Sequence, residues 1–259
     1  MTQALEKRQQ AVAVLQSENF KTQLQNALPK ILPLEKFVRT CITSLTKNPK
    51  LCECSQQSLF GSIIQLAQVG LEADGYHAHL IPYGSICTAI VDYKGLIELM
   101  YRTDKVSSIN GYVVKENDDF DFVVGEVPTH KIKLGNRGKT VGAYTVVTMK
   151  DGSKSVEVMG IDEIEAIRER SKSGNNGPWK TDFDEMAKKT VLRRHSKWVP
   201  ISAEAKEIVL KEVEAEVQNN KPSKVTLADI VGGESVADEK QAEIVDDLGD
   251  DFEKATEVK

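Results

Sequence analysis

The sequence predicts an α+β protein in which an antiparallel, meander-like sheet is flanked by helices and followed by a flexible acidic C-terminal tail. Three observations predict this class. Apolar residues follow the helical period as far as Gly70, alternate with the strand period from His79, and return to the helical period after Asp162. Tight turn signals such as Asp151-Gly152 separate the central strands, and such turns join antiparallel strands. Acidic residues outnumber basic residues after residue 200.

The first third of the chain is predicted to form three helices before any strand. Their apolar stripes place them at residues 20–28, 33–48 and 55–70. Pro29 stops the first helix, Ser55 is a suitable N-cap for the third, and Gly70 is its expected stop.

The middle of the chain is predicted to form a hairpin, one helix and five further strands. The hairpin covers residues 79–91 and turns at residues 83–85, with Pro82 favouring an edge strand. A short helix follows over Tyr93 to Arg102. The remaining strands are expected at Ile109–Lys115, Phe120–Val124, Lys131–Leu134, Thr140–Met149 and Lys154–Met159.

The last part of the chain is predicted to be helical and then irregular. Asp162 is expected to cap a helix that ends near Arg170, and a Gly-rich loop follows. Thr181 with Asp184 is expected to open a basic helix as a capping box, and Pro200 to end it. Residues 202–218 predict an acidic helix. Residues 226–259 have too few apolar anchors to fold alone, so disorder until binding is expected.

Composition favours a soluble intracellular protein. Residues 1–200 carry 27 basic and 23 acidic residues, whereas residues 201–259 carry 7 and 16. No apolar run is long enough for a membrane span, and the N-terminus lacks a secretory pattern.

Four cysteines do not make a disulfide framework. Cys52 and Cys54 with His77 and His79 match no common zinc spacing, so neither metal nor cofactor is predicted.

The segment from Met186 to Trp198 is the most informative one, because it holds five basic residues and no acid. Glu185 and Asp184 can reach Lys189 and Lys188 at helical spacing, but Arg193, Arg194 and Lys197 have no acid three or four residues away. Within this segment, one cationic arc of about 80° is predicted, and residues four apart rise about 6 Å, close to the phosphate spacing of a nucleic-acid strand. The arc comprises Lys189, Arg193 and Lys197. A solvated helix face is the alternative.

Neighbouring residues extend this basic region. The adjacent loop contributes Arg170, Lys172 and Lys180. Trp179, in the same loop, can stack on an unpaired base, although a core anchor is slightly favoured. Trp198 falls on the apolar arc and is predicted to be core. A basic hairpin tip can contact phosphates or be merely exposed, and it comprises Lys131, Lys133, Arg137 and Lys139.

Two other functions are compatible with parts of the sequence. Asp118, Asp119 and Asp121 suggest a metal-dependent nuclease, although aspartate is expected at a hairpin turn in any case. An assembly protein whose basic helix packs on its own acidic tail is the second. Gly135 to Thr140 resembles the end of a phosphate-binding loop, but it lacks the first glycine and the following helix, so ATP binding is rejected.

Several blocks of the chain, taken together, resemble the RecT family of phage single-strand annealing proteins. They lie in order over roughly residues 55 to 202, and they are Gly70–Asp74, His79–Gly84, Val91–Thr103 with Val106–Ile109, Trp179–Arg194, and Lys197–Ser202. Asp104 stands where relatives often have glycine or another small residue, which puts the conformation of that turn in question.

The resemblance implies a non-enzymatic recombinase in the cytoplasm of a bacterial host. Such a protein binds single-stranded DNA and pairs it with its complement without ATP, through an annealed duplex intermediate held by a homo-oligomeric ring or filament. It also implies a partner exonuclease, and contact with a host single-strand-binding protein through the C-terminal region. The DNA-groove candidates that it implies are Lys94, Arg102, Lys188, Lys189, Arg193, Arg194 and Lys197.

This interpretation divides the chain into four parts. Residues 1–54 are an N-terminal helical region expected to make oligomer contacts, and residues 55–202 are the annealing core with the DNA groove. Residues 203–220 are the acidic helix. Residues 221–259 are the acidic linker and partner-binding tail.

Overall fold

A computed structural model describes residues 2–171, 174 and 177–209, with side chains from residue 5 onward. Most of the predicted acidic helix, the whole tail and Lys172 lie outside these residues. The helices are α1 (Thr2–Gln16), α2 (Glu18–Ala27), α3 (Leu34–Lys47), α4 (Gln56–Val69), α5 (Tyr93–Arg102), α6 (Ile161–Arg170), α7 (Pro178–Thr181) and α8 (Phe183–His195), with a 3₁₀ helix over Pro49–Glu53 and a helical stretch at 203–209. The strands are β1 (Ala78–Tyr83), β2 (Ile86–Val91), β3 (Val106–Lys115), β4 (Asp119–Asp121), β5 (Thr129–Lys131), β6 (Thr140–Met149) and β7 (Lys154–Gly160).

The α+β class is confirmed, but the N-terminal part holds more helix than the sequence pattern predicted. The predicted helices correspond to α2, α3 and α4, while α1 precedes them and a 3₁₀ helix lies before α4. The helix α1 was missed because it is mostly polar and buries only Ala11 and Leu15 among its described side chains. Ser17 caps α2 by accepting a hydrogen bond from the Phe20 amide.

The predicted ends of α4 are confirmed. Ser55 accepts a hydrogen bond from the Ser58 amide at the N-terminus, and Gly70 adopts the left-handed conformation at the C-terminus with φ of 65°. A side chain at Gly70 would also collide with Pro29 and Arg102. The Arg102 guanidinium donates to the carbonyls of Val69 and Gly70 at 2.8 and 2.9 Å. Arg102 therefore satisfies the open C-terminal carbonyls of α4.

The strands form three antiparallel sheets rather than one meander. The strands β1 and β2 make a separate hairpin, and the largest sheet has the order β3-β6-β7. The short pair β4-β5 is inserted between β3 and β6, which are neighbours in the sheet. The strands predicted at 120–124 and 131–134 correspond to β4 and β5, which are shorter and shifted. This inserted excursion has only three paired residues on each side.

Two predicted helix caps are wrong. The N-cap of α6 is Gly160, and Asp162 lies within the first turn. The basic helix has no capping box, since Asp182 is the N-cap of α8 and makes no side-chain capping bond. Asp184 instead accepts hydrogen bonds from Lys115 and Thr140, at 2.5 and 2.6 Å. These contacts with residues distant in sequence occupy the Asp184 carboxylate, so it does not take part in a cap of α8.

The buried apolar residues form three clusters. The largest joins α1–α4, the β1-β2 hairpin and α5 to Leu192 and to residues 199–209, so residues on both sides of the predicted boundary at residue 54 share one core. A second lies between the sheet and α8, and includes Ala143, Trp179 and Val191. The third covers part of the opposite face of the sheet, around Tyr144. The helix α8 contributes to the first two and so connects the helical part to the sheet.

The turn after α5 adopts an unusual conformation. Asp104 has φ of 57° and is the non-glycine residue with positive φ in the described part of the chain. This conformation disfavours L-residues other than asparagine and aspartate, so aspartate is tolerated here. An exposed ion pair with Lys150 accompanies it.

Asp118 holds the β4-β5 excursion against the sheet. Its fully buried carboxylate accepts hydrogen bonds from Arg137 and His130 and from the backbone amides of Lys115 and Lys133. The Arg137 guanidinium, helped by His130 and the two amides, keeps the pKa of this carboxyl far below its usual range. A group so enclosed stabilises the fold as an anion.

We expect Asp118→Ala to lower the free energy of unfolding by about 3 kcal/mol, because it leaves the Arg137 charge and two amides without their acceptor. Asp119→Ala is the matched control, since Asp119 makes only an exposed pair with Lys131 at 3.5 Å. Its cost should stay below about 0.5 kcal/mol. Urea denaturation measures both. Equal losses would contradict the structural role of Asp118.

Candidate nucleic-acid interface

The basic helix α8 packs along one face of the β3-β6-β7 sheet. Ala187 and Val191 point into the cluster beneath it, and Leu192 points into the main core. The cations occupy the remaining positions of the helix and diverge toward different neighbours. Their surroundings decide which of them can bind an external anion.

Lys189 and Arg193 reach the corner where β2 leads into α5. The Lys189 ammonium lies 2.9 Å from Asp92, whose carboxylate also caps α5 through the Lys94 amide. Arg193 donates to the Val91 carbonyl at 3.1 Å. Burial alone would raise the pKa of Asp92, but hydrogen bonds from His79 and Lys189 outweigh it and hold that pKa well below its usual range. These two cations therefore join α8 to α5.

The other α8 cations also have protein partners. Arg194 pairs with both Glu157 and Glu163 at 2.5 Å, and Lys188 pairs with Glu185 at 2.6 Å. Arg194 has no acid within reach on its own helix, as its spacing indicated, and its carboxylate partners come from β7 and α6. Intrahelical spacing could not reveal these contacts, because they join residues distant in sequence.

The helices α5 and α8 border a cleft of about 150 Å³, here called the α5–α8 cleft. Its lining includes Tyr93 and Ile97 from α5, and Lys188 and Lys189 from α8. The Lys94 ammonium lies beside it, 3.6 Å from the ring centroid of Tyr76 and 5.8 Å from that of Tyr93. Tyr76 is 51% exposed. The lining thus holds one aromatic ring, two lysines and the carboxylate of Glu185, and Lys94 with Tyr76 adjoins it at Tyr93.

The remaining predicted cations are dispersed. Arg102 binds the end of α4 and pairs with Glu98, and Arg137 supports Asp118, so each has a structural role. Lys131 makes an exposed pair with Asp119. Arg170 donates to the Ala166 carbonyl at the end of α6. Lys180 is exposed on α7 and has no ion pair within the described residues.

Trp179 has the core environment that the sequence slightly favoured, whereas Trp198 does not have its predicted one. Trp179 is 3% exposed and packs against Phe183, so it is a core anchor and its ring is closed to a base. Trp198 is 78% exposed, which contradicts its predicted core position. The helix α8 ends at His195, so the helical projection that placed Trp198 on the apolar arc does not apply to it. Lys197 beside it is also exposed.

His195 is a buried residue of the basic segment that the sequence did not single out. Its ring nitrogens lie 2.7 Å from the Thr145 hydroxyl and 2.8 Å from the Ser155 hydroxyl. Burial lowers the pKa of His195 to about 4. The neutral ring therefore connects the end of α8 to β6 and β7. The pattern of basic residues around His195 in the sequence did not indicate that its ring would be buried and join α8 to the sheet.

The residues of the nuclease alternative do not form a metal site in the described part of the chain. Asp118 is fully buried and bound to Arg137, whereas Asp119 is 72% exposed. Among the described residues no group of three or more histidine, cysteine or acidic side chains is placed to hold a metal ion. Cys52 and Cys54 are free thiols. His77 contacts the carboxylates of Asp74 and Glu98, whereas His79 contacts that of Asp92.

No helix in the described residues is both long and apolar enough to cross a membrane.

Comparison with known proteins identifies the class. A model of the RecT family matches residues 35–225, which extends the recognised similarity on both sides of residues 55–202. Protein RecT of Escherichia coli (strain K12) is 35% identical over 215 residues, covering 78% of this chain and 80% of that protein. The uncharacterized protein YqaK of Bacillus subtilis (strain 168) is 24% identical over 205 residues, covering 77% and 71%.

The chain is a single-strand annealing protein of the kind used in phage-type recombination. It belongs to the RecT family. The nuclease and assembly-protein alternatives are not favoured.

We expect the stability of the fold to fall as the pH drops from about 6.5 toward 4, because protonation of His195 is easier in the unfolded chain than in the fold. The contribution is complete above the unfolded-state pKa and is lost below it. His195→Gln keeps a neutral hydrogen-bonding side chain and removes this dependence. Free energies of unfolding measured against pH should differ in slope by about one proton between the two proteins. Parallel curves would exclude His195 as the titrating group.

Proposed function

We propose that the α5–α8 cleft holds the sugar–phosphate backbone of single-stranded DNA during ATP-independent annealing. The observation that supports it is that Tyr93 and Lys188 line one cleft and that the Lys94 ammonium lies between the rings of Tyr76 and Tyr93 beside it. Lys188 is held only by a partly exposed pair with Glu185, and such pairs contribute at most about 1 kcal/mol. A phosphate can therefore replace Glu185 at little cost.

Lys197 and Trp198, just past the end of α8, are further candidate contacts for the strand. Lys197 is two residues past the end of α8, which ends at His195. Lys197 has no ion pair within the described residues, and the exposed Trp198 ring is available for a base. Lys180 on α7 is a further candidate contact, and so are Arg170 and the undescribed Lys172 beyond α6.

Backbone contacts suit annealing, because they hold a strand without occupying the base edges that must pair with a complement. The few cations of one cleft give weak binding, so stable binding requires many protomers along one strand. A homo-oligomeric ring or filament with the annealed duplex as its intermediate is therefore part of the proposal. No bond is made or broken by the protein, and cleavage of DNA in Mg²⁺ is not expected.

The proposed partners of the C-terminal region are an exonuclease that generates single strands and a host single-strand-binding protein, in the bacterial cytoplasm. This region is acidic and has spaced apolar residues such as Leu227, Ile230 and Phe252. Removal of residues 221–259 should abolish capture of these partners and leave annealing intact. Capture by the truncated protein would contradict this assignment.

We expect Lys94→Ala with Lys188→Ala to weaken single-stranded DNA binding for all sequences. Two lost phosphate contacts should flatten the slope of log affinity against log salt by about 1.4. The matched control is Lys21→Ala with Lys47→Ala, which removes the same charge from α2 and α3. Fluorescence anisotropy at several salt concentrations measures both.

The same proteins should be mixed with complementary oligonucleotides without any nucleotide. The wild-type chain and the control should accelerate duplex formation over the protein-free rate, and the cleft variant should do so poorly. An unchanged salt slope in the cleft variant would place the backbone contact elsewhere. No acceleration by the wild-type chain would overturn the proposed annealing activity itself.

A further inference from the structure

The face of the β3-β6-β7 sheet opposite α8 carries a second groove. Side chains alternate along each strand, so Thr145 points to α8 while Tyr144 and Val146 point away from it. The β4-β5 excursion covers only part of this opposite face. Between the excursion and the sheet remains a groove of about 370 Å³, here called the open-face groove. Its side chains include Asn110, Tyr112, His130, Tyr144, Thr148 and Lys154.

The floor of the open-face groove is rigid. His130 is 4% exposed, and its two nitrogens lie 3.1 Å from the Tyr144 hydroxyl and 3.1 Å from the Asp118 carboxylate. Arg137 holds Asp118 in turn. The floor is thus fixed by a chain of hydrogen bonds that begins at a buried ion pair, and it does not depend on a bound ligand.

Tyr112 presents an aromatic surface above this floor. It is directly opposite Tyr144 in the β3-β6 register, with ring centroids 5.3 Å apart and an interplanar angle of 32°. Tyr112 is 40% exposed, whereas Tyr144 is 5% exposed. The buried Tyr144 ring supports Tyr112 from below, and the exposed face of Tyr112 is open to a planar partner. Every nucleobase has such a face, so stacking here would tolerate any sequence.

The rim of the groove supplies polar groups and one positive charge. The side chains of Asn110 and Thr148 have no hydrogen-bond partner within the described residues. Lys154 lies opposite Thr148 in the β6-β7 register and has no ion pair there. None of the described lining residues is a carboxylate. The ligand that suits an aromatic face, hydrogen-bonding groups and one cation is planar, polar at its edge and negatively charged.

We propose that the open-face groove binds an unpaired nucleotide of single-stranded DNA, with the base stacked on Tyr112 and its phosphate beside Lys154. The volume is in the range of small-ligand pockets, whereas a stable protein partner needs a patch of about 800 Å². A paired base inside a duplex cannot reach such a groove, so this contact distinguishes single strands from duplex. The proposal rests on the single-strand binding proposed above, but it uses the opposite face of the sheet and is separable by mutation.

The test compares the full-length chain with its Tyr112→Leu variant on two ligands, an oligothymidylate and an abasic strand of equal length. Leucine keeps the apolar cover over Tyr144 and removes the stacking ring. Wild-type protein should bind the oligothymidylate at least about 10-fold more tightly than the abasic strand. Tyr112→Leu should lose most of this difference while its affinity for the abasic strand stays unchanged. Tyr112→Phe should behave as wild type.

Tyr101→Leu is the matched control, because Tyr101 is 44% exposed on α5, away from the groove. Thermal unfolding should show that each variant is folded. The double variant Asn110→Ala with Thr148→Ala probes the same groove and leaves the Tyr112 ring in place. Lys154→Ala should flatten the salt slope by about 0.7. Equal affinity of the wild-type chain for both strands, or the same loss in Tyr101→Leu, would overturn the proposal and leave the α5–α8 cleft standing.

Two other outcomes have distinct meanings. If Tyr112→Leu changes the oligomer mass in the absence of DNA, the groove is a contact between copies of the chain and the nucleotide proposal is wrong. If the wild-type chain binds neither strand, single-strand binding itself fails and both proposals fall together.

Discussion

The ion pair between Asp92 and Lys189 joins α5 to α8, and the candidate DNA-binding cleft depends on this junction. Asp92 directly follows β2, caps α5 and accepts a hydrogen bond from the ammonium of Lys189, a residue nearly one hundred positions later. Arg193 strengthens the same corner by donating to the Val91 carbonyl. Since α5 belongs to the helical part and α8 to the sheet, this corner fixes the α5–α8 cleft between them. Two members of the predicted cationic arc, Lys189 and Arg193, therefore position the cleft.

Local patterns in the sequence predicted the elements well where the physics is local. Ser55 and Gly70 bound α4 as expected, and the strands β6 and β7 fall where alternation placed them. The helix α1 was missed because its apolar stripe is weak. The short pair β4-β5 was mislocated because three paired residues leave little periodic signal. The capping box at Asp184 failed because Lys115, far away in sequence, competes for the same carboxylate.

The candidate site was less predictable than the fold, since it depends on which residues the fold brings together. Helical spacing shows that Arg194 lacks an acid on its own helix, but Glu157 and Glu163 arrive from other elements. Trp198 is exposed, against the prediction of a core position, because α8 ends before it, whereas Trp179 is buried as the sequence slightly favoured. The class of protein survived these corrections, because it rests on similarity over most of the chain and not on any single cation.

The position of the β4-β5 excursion has a consequence for divergence. Lys115 and Thr140, where the excursion leaves and rejoins the sheet, are partners in the β3-β6 ladder. Their separation is fixed by strand pairing and not by what lies between them. Insertions within residues 116–139 that keep Asp118, His130 and Arg137 in place can therefore reshape one wall of the open face without disturbing α8. Differences in sequence and length among homologous chains should be concentrated in this segment, and engineered insertions should be tolerated there.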